Sequence, residues 1–390
     1  MARSAFPQSV LMFCTAFGFR TTASILLCAV ILPDPANGLQ DRIFETGDKL
    51  VLGQGRERSA SVRLADLDGD GDLDAVVANG RHWPAKNHVF INGGNAQFNQ
   101  PALLGENPDP SYATEPADLD GDGDLDIAVG NDKQPNLIYR NDGAGVFDAG
   151  TEFGEVSSVR SLTVADVDGD QDLDILATCR GRPNLIYLND GSGQFAAGQP
   201  FGNSDDATID VAVADLNGDG HPDLVLANRE GQQNFILLND GDTNFTERVA
   251  FGTGSDETRA VTVADLNGDG HPDLVAGNIG QPNAVYMNDG NGGFDKGATF
   301  GRDNGRTYAL AIADMDNDGD ADIVVGNAGQ TNAVYLNQGD GSAFQEIPFG
   351  QKRAATYGLA VGDVDADGFC DIAVANSGAR NKVFLNRPAN

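Results

Sequence analysis

Seven copies of one acidic nonapeptide, D-x-[DN]-x-D-x-x-x-D, recur in register along the 390-residue chain at intervals of 48 to 52 residues. They begin at Asp66, Asp118, Asp166, Asp215, Asp265, Asp314 and Asp363. A chance acidic run does not keep register over seven copies, so the fold has to be assembled from seven equivalent units.

Positions 1, 3, 5 and 9 of each copy carry side-chain oxygen. They are Asp66, Asp68, Asp70 and Asp74 in the first copy, Asp118, Asp120, Asp122 and Asp126 in the second, and Asp166, Asp168, Asp170 and Asp174 in the third. The fourth and fifth use Asp215, Asn217, Asp219 and Asp223, then Asp265, Asn267, Asp269 and Asp273. The last two use Asp314, Asp316, Asp318 and Asp322, then Asp363, Asp365, Asp367 and Asp371. Position 7, occupied by Asp72, Asp124, Asp172, His221, His271, Asp320 and Phe369, is expected to add a backbone carbonyl. Such an all-oxygen set suits a hard cation taking about six to eight oxygens, and Ca²⁺ fits best. Up to seven Ca²⁺ ions are therefore expected.

Position 6 is Gly in six copies, as a sharp reversal through positive φ requires, and Gln171 in the third, whose loop is expected to be strained or looser. An EF-hand is excluded. Its loop ends on a bidentate Glu between helices, whereas Val77, Val129 and Val325 stand at that position here. The flanks are strand-like: Val261-Thr262-Val263-Ala264 alternates before a loop, and Ile323-Val324-Val325 is β-branched after one. The alternative is that the copies are plain polar turns. Against it stands repulsion, because three or four carboxylates in one small loop push apart unless a cation neutralises them.

The formal charge of −33 becomes −34 if residues 1–38 are removed, since Arg3 and Arg20 leave with Asp34. Seven divalent ions would bring that to −20. The remaining acidity argues against nucleic acid or an anionic membrane as partner. Residues 1–38 read as a secretory signal: Arg3 and Arg20, an apolar stretch from Ala23 to Leu32, Pro33 and Pro35, then Ala36, Asn37 and Gly38, with cleavage after Gly38. A buried strand is the alternative. Leu26 and Leu27 before Cys28 do not suit a lipoprotein signal, and no later segment reaches the ~20 apolar residues of a membrane span. The expected location is secreted, periplasmic or cell-surface. Cys179 and Cys370, in the third and seventh repeats, are expected to be buried small apolar residues rather than a bridge.

Each unit carries a second signature, exemplified by Tyr187-Leu188-Asn189-Asp190-Gly191 with Phe195 and then Phe201-Gly202. Asn-Asp-Gly between apolar runs signals a hairpin, so each unit contains four strands. Four-stranded units repeated radially make a β-propeller. The last repeat stops at Phe384-Leu385-Asn386-Arg387 without a fourth strand, while Phe44 and Leu52-Gly53 supply the missing pattern ahead of the first. An all-β, seven-bladed propeller over residues 39–390, with the N-terminal strand completing the last blade, is the expected architecture. In the first strands bulky Leu162 and Val164 alternate with Ser161, Thr163 and Ala165, so that neighbouring blades can nest.

With Asp-x-Asp-x-Asp-Gly-x-x-Asp inside hairpins and Phe-Gly at the unit ends, residues 42–390 resemble the FG-GAP/VCBS-repeat family, the propeller type of the integrin α-subunit head. The Gly-Ala-Pro half of that name has no counterpart here. The resemblance implies calcium in the loops of one face and ligand binding on the other. That scaffold hosts adhesion heads, lectins and accessory domains of polysaccharide-degrading enzymes, so it leaves the ligand open.

Two sets of residues are candidates for the opposite face. The first repeat has an enlarged loop between Asn79 and Asn87 with Arg81, His82, the sole tryptophan Trp83, and Lys86, which can stack on a sugar, anchor a protein, or merely cap the ring closure. Six residues before each acidic loop stand Ala60, Tyr112, Arg160, Ile209, Arg259, Tyr308 and Tyr357, which either rim a central channel or pack between blades. His82 and His88 have no Ser or Cys arrangement around them, so catalysis is not expected. The sequence thus points to a secreted calcium-binding propeller acting as an adhesion or protein-interaction module for an extracellular protein. A glycan-binding lectin is the alternative, with an accessory or catalytic propeller of a polysaccharide-degrading enzyme after it.

Overall fold

The computed structural model describes residues 42–98 and 101–389. The expected signal, residues 1–38, lies outside them. The described residues form seven antiparallel sheets in a ring. In the first blade the strands run Ser59–Ala65, Asp74–Asn79, Ala85–Phe90 and Ala102–Asp109, from the channel outward. The last blade contains Thr356–Gly362, Asp371–Asn376 and Asn381–Pro388. Two short N-terminal strands, Arg42–Glu45 and Val51–Leu52, both pair with Asn381–Pro388 and supply its missing outer strand. Among the described residues no helix is long and apolar enough to cross a membrane.

The second strand of every blade is buried along its whole length, as in Asp174–Cys179 and Asp322–Asn327. Sheets cover both of its faces, and its apolar run gives it no solvent side. The core is divided into seven clusters, one between each pair of neighbouring blades. One of them joins Leu67, Val76 and Leu104 of the first blade to Ile127, Val129 and Tyr139 of the second. The Phe-Gly ends build these seams. Phe153 stacks edge-on against Tyr187 of the next blade at 5.6 Å, and Phe300 against Tyr335 at 4.9 Å. Glycine is required beside the Tyr187 ring: at Gly154, which follows Phe153, a Cβ would lie 2.5 Å from it, and φ there is +63°. At the closing seam a Cβ on Gly358 would come within 2.7 Å of Ser61 Cα, so blade seven meets blade one backbone to backbone.

Asn-Asp-Gly does more than turn the chain. Asn141 donates its side-chain amide to Leu67 O of the preceding blade at 2.7 Å, and Asn189, Asn239, Asn288, Asn337 and Asn386 do the same to Leu119, Val167, Leu216, Leu266 and Met315. Asn92 closes the circle on Val364. Cys179 and Cys370 are both buried, in blades three and seven.

Candidate functional sites at the two ends of the channel

The acidic loops join the inner strand of each blade to the second strand and so gather at one end of the channel. In the first loop Asp66 accepts from the backbone N–H groups of Gly69 (2.8 Å) and Gly71 (3.0 Å), which ties position 1 to positions 4 and 6. Both have positive φ, +74° and +91°. Gln171 adopts φ +80°, so the third loop keeps the shared shape and carries the strain in its backbone. Asn317 and Ala366 take the same left-handed conformation at position 4, which the sequence reading did not single out.

Position 9 is fully buried in all seven loops. Asp74 accepts from Leu67 N and Asn92 N at 2.8 and 2.7 Å, so it braces the loop against the hairpin as well as facing it. Burial pushes these carboxyls up: Asp322 to about 8, Asp174 and Asp371 to about 7, Asp74, Asp126 and Asp223 to about 6. Burial, with Asp318 and Asp314 nearby, raises Asp316 to about 6.

Five loops bring three carboxylates to within 4.8 Å of one another: Asp66, Asp68 and Asp70; Asp118, Asp120 and Asp122; Asp166, Asp168 and Asp174; Asp314, Asp316 and Asp322; Asp363, Asp365 and Asp371. Each group can hold a metal ion. Loops four and five place the amides of Asn217 and Asn267 on Asp219 and Asp269, both at 2.9 Å. At position 3, one oxygen of Asp68, Asp120, Asp316 and Asp365 is shielded from solvent and accepts no hydrogen bond. Orphaned carboxylate oxygens beside like charges are a donor set that fits a hard cation. The position-7 side chains of Asp72, Asp124, Asp172, His221, His271 and Asp320 lie instead over the hairpin glycines Gly94, Gly143, Gly191, Gly241, Gly290 and Gly339.

Two loops differ in a way the sequence reading missed. The Arg140 guanidinium donates to Asp120, and Arg387 donates to both Asp365 and Asp367. Loops two and seven therefore already face an internal cation. The signal was present, since Arg140 stands where Leu188, Met287 and Leu336 stand in other blades.

At the other end of the channel every inner strand shifts register by one residue, between Ser59 and Ser61 in blade one and between Thr356 and Gly358 in blade seven. The residue inside each shift is Ala60, Tyr112, Arg160, Ile209, Arg259, Tyr308 or Tyr357. A bulge re-aims a side chain, and all seven line one cavity of about 230 Å³ at the channel mouth. This favours the channel-rim alternative for these residues.

The enlarged first-blade loop leans over the same mouth. Arg81, at φ +55°, lays its guanidinium 3.7 Å from the centre of the Tyr357 ring. His82 bonds Asp132 at 2.8 Å through Nδ1 and the Tyr112 hydroxyl at 2.8 Å through Nε2. Arg81 and His82 line the cavity. Trp83 is 55% exposed, with the Arg58 guanidinium 3.6 Å from its ring centre, and Lys86 is exposed. Arg180 and Arg229, at the ends of the second strands of blades three and four, complete the cationic wall, and sequence reading did not bring them in. Below it, Arg63 and Glu115 pair at 2.5 Å across the neck, near the half-buried Asp210.

The fold has solved counterparts at low sequence identity. BBS1N, crystallised in complex with ARL6DN, superposes with a TM-score of 0.61 at 13% identity, covering 88% of this chain and 96% of that one. The BP39L lectin from Burkholderia pseudomallei superposes with a TM-score of 0.65 at 13% identity, covering 85% of this chain and 99% of that one. No curated protein sequence matches significantly. The FG-GAP-like repeat pattern matches six times in overlapping spans, 66–129, 118–177, 166–226, 215–276, 265–325 and 314–374, each running from one acidic loop into the next blade. The chain belongs to the FG-GAP-like repeat family.

Proposed function

We propose that this chain is a secreted, calcium-stabilised propeller that works by binding another protein at the face around the channel mouth. The observation that carries the reading is the chemical segregation of the two ends: the acidic loops at one, and bulged Tyr and Arg side chains with the Arg81–Trp83 loop at the other. Calcium suits the first end because its donors are all oxygen and the loops are too acidic to sit unneutralised. The residues that would hold it are those at positions 1, 3, 5 and 9. Bound there, the ion supplies charge neutralisation and a cross-link between the first two strands of a blade. Extracellular calcium is plentiful, in keeping with the expected signal segment.

The mouth suits partner binding because rigid inner strands present its side chains, and because Tyr and Arg dominate protein-binding hot spots. The function requires no catalysis. BBS1N is a propeller solved with a protein bound, which supports the same use of the scaffold. A glycan-binding reading draws on exposed Trp83 and on the lectin neighbour, but Arg58 already covers one face of the indole.

The test is site-directed photo-crosslinking in calcium, with the crosslinker at residue 83 or, on the loop face, at residue 121. A protein partner captured from residue 83 and not from 121 supports the reading. Capture only from 121, or a glycan-array signal without any protein adduct, would overturn it.

A further inference from the structure

The channel mouth is cationic in a chain of formal charge −33. Six arginines line the cavity against two carboxylates, Glu115 and Asp210. Glu115 is held by Arg63 at 2.5 Å, and Asp210 accepts from Val261 N at 3.1 Å, so both carboxylates are already engaged. Arg160 and Arg259 have acid partners in Asp132 and Glu257, whereas Arg229 has only its chain neighbour Glu230, whose side chain is 56% exposed and can be displaced by a ligand carboxylate. The guanidinium of Arg180 has none among the described residues, and that of Arg81 stacks on Tyr357 and makes one long hydrogen bond, 3.4 Å to Ser377. Burial holds the Arg229 pKa below the usual range against the opposing charge of Glu230, and the like charges of Arg180, Arg259 and Arg160 act in the same direction as burial. Four guanidiniums thus line one cavity, three of them near that of Arg229.

The remaining lining chemistry narrows the occupant. A sugar needs acceptors for its hydroxyls as well as donors, but no Asn or Gln lines the mouth. Its serines, Ser61 and Ser161, are committed to Thr114 at 3.0 Å and Thr178 at 2.8 Å. What the wall offers is N–H donors with positive charge, spread over blades one, three, four and five. A single carboxylate occupies one such fork. An arc of them fits a ligand carrying several carboxylates in succession.

We propose that the mouth binds an acidic segment of a partner protein, its Asp or Glu carboxylates taken by Arg81, Arg180 and Arg229 while Tyr308 and Tyr357 pack against its stem. This rests on the mouth being the working face, and it names the chemistry of the partner there.

Fluorescein-labelled octaglutamate, titrated into the calcium-loaded protein by anisotropy, tests it, with octaglutamine and an oligogalacturonate as comparison probes. Octaglutamate is expected to bind, more weakly with added salt, and octaglutamine not at all. Arg180→Gln with Arg229→Gln should weaken binding by about tenfold or more, while Lys296→Gln on the outer strand of blade five leaves it unchanged. Should the double variant fail to fold, Arg180→Gln alone removes an exposed guanidinium that makes no hydrogen bond or ion pair among the described residues. Unchanged octaglutamate affinity in the folded variants would overturn the site. Tighter binding of the oligogalacturonate would overturn the peptide in favour of an acidic glycan. Salt-sensitive self-association that is lost in the variant would reassign the mouth to the acidic loops of a second copy. Failure of octaglutamate beside a non-acidic partner crosslinked from residue 83 would remove this inference and leave the proposed function standing.

Discussion

The side-chain amide of Asn92 reaches 2.8 Å across the seam between the first and last blades to the carbonyl oxygen of Val364. Its second hydrogen goes to Leu73 O at 3.2 Å, and its backbone N–H to Asp74 at 2.7 Å. One buried residue therefore ties the acidic loop of blade seven to that of blade one. Asn92→Ala strands two buried carbonyls and is expected to cost about 2 kcal/mol, read as a lower midpoint in denaturant unfolding with calcium present.

Gln171 holds φ +80° where six other loops use glycine. Replacing it with glycine removes the Cβ penalty of the left-handed conformation. Gln171→Gly is expected to stabilise the calcium-loaded protein by about 1 kcal/mol, visible as a higher melting temperature; a lower one would show that the third loop does not share the common strain.

Asp210 sits half-buried in the channel neck, and desolvation pushes its carboxyl up to about 7 despite the backbone N–H of Val261 and nearby Arg63. An unfolded-chain Asp titrates near about 3.9. The folded state thus holds the proton more tightly, so the contribution is full below the unfolded value and is lost as pH rises through about 7. Asp210→Asn retains an acceptor without the charge. The variant should be more stable than the parent at pH 8, with a gap that narrows as pH falls through 5 and closes only below about pH 4, in paired denaturant melts at saturating calcium.

Arg140 places a cation on Asp120, inside a loop that otherwise gathers carboxylates. Arg140→Met, the residue type that blade five uses at this point, removes a competitor for the second site. Calcium affinity at that site is expected to rise about tenfold, detectable as an additional tight class in a calorimetric titration. An unchanged isotherm would mean that the guanidinium and the ion do not compete.

The architecture was legible because it rests on periodicity. Asp66 to Asp363 set the number of blades, and the missing strand after Asn386 was matched by Phe44 and Leu52. What stayed hidden depends on single-residue geometry or on contacts between distant blades. The bulge at Tyr112 or Tyr308 leaves no mark in an alternating strand pattern, because one extra residue looks like continued strand. Arg180 and Arg229 lie 49 residues apart in the chain and come near each other only when blades three and four pack side by side. Asn141 read as part of a turn, since nothing local shows that its amide belongs to the neighbouring blade. The role of Arg387 was obscured because it stands where the other repeats place Asp, Gln or, in the first, Gly.

The central claim is that calcium in the acidic loops holds the ring together. At millimolar calcium and a dissociation constant near 10⁻⁴ M, each filled site adds about 1.4 kcal/mol, and seven would add about 10 kcal/mol, comparable to the stability of a whole domain. The most direct measurement is a calorimetric titration of the chelator-stripped protein with Ca²⁺, followed by a thermal melt at each step. Uptake approaching seven ions with a melting temperature that climbs throughout is expected, the last two entering weakly at the loops of Arg140 and Arg387. Negligible uptake, or a melting temperature indifferent to chelator, would contradict it and reduce the seven loops to acidic turns.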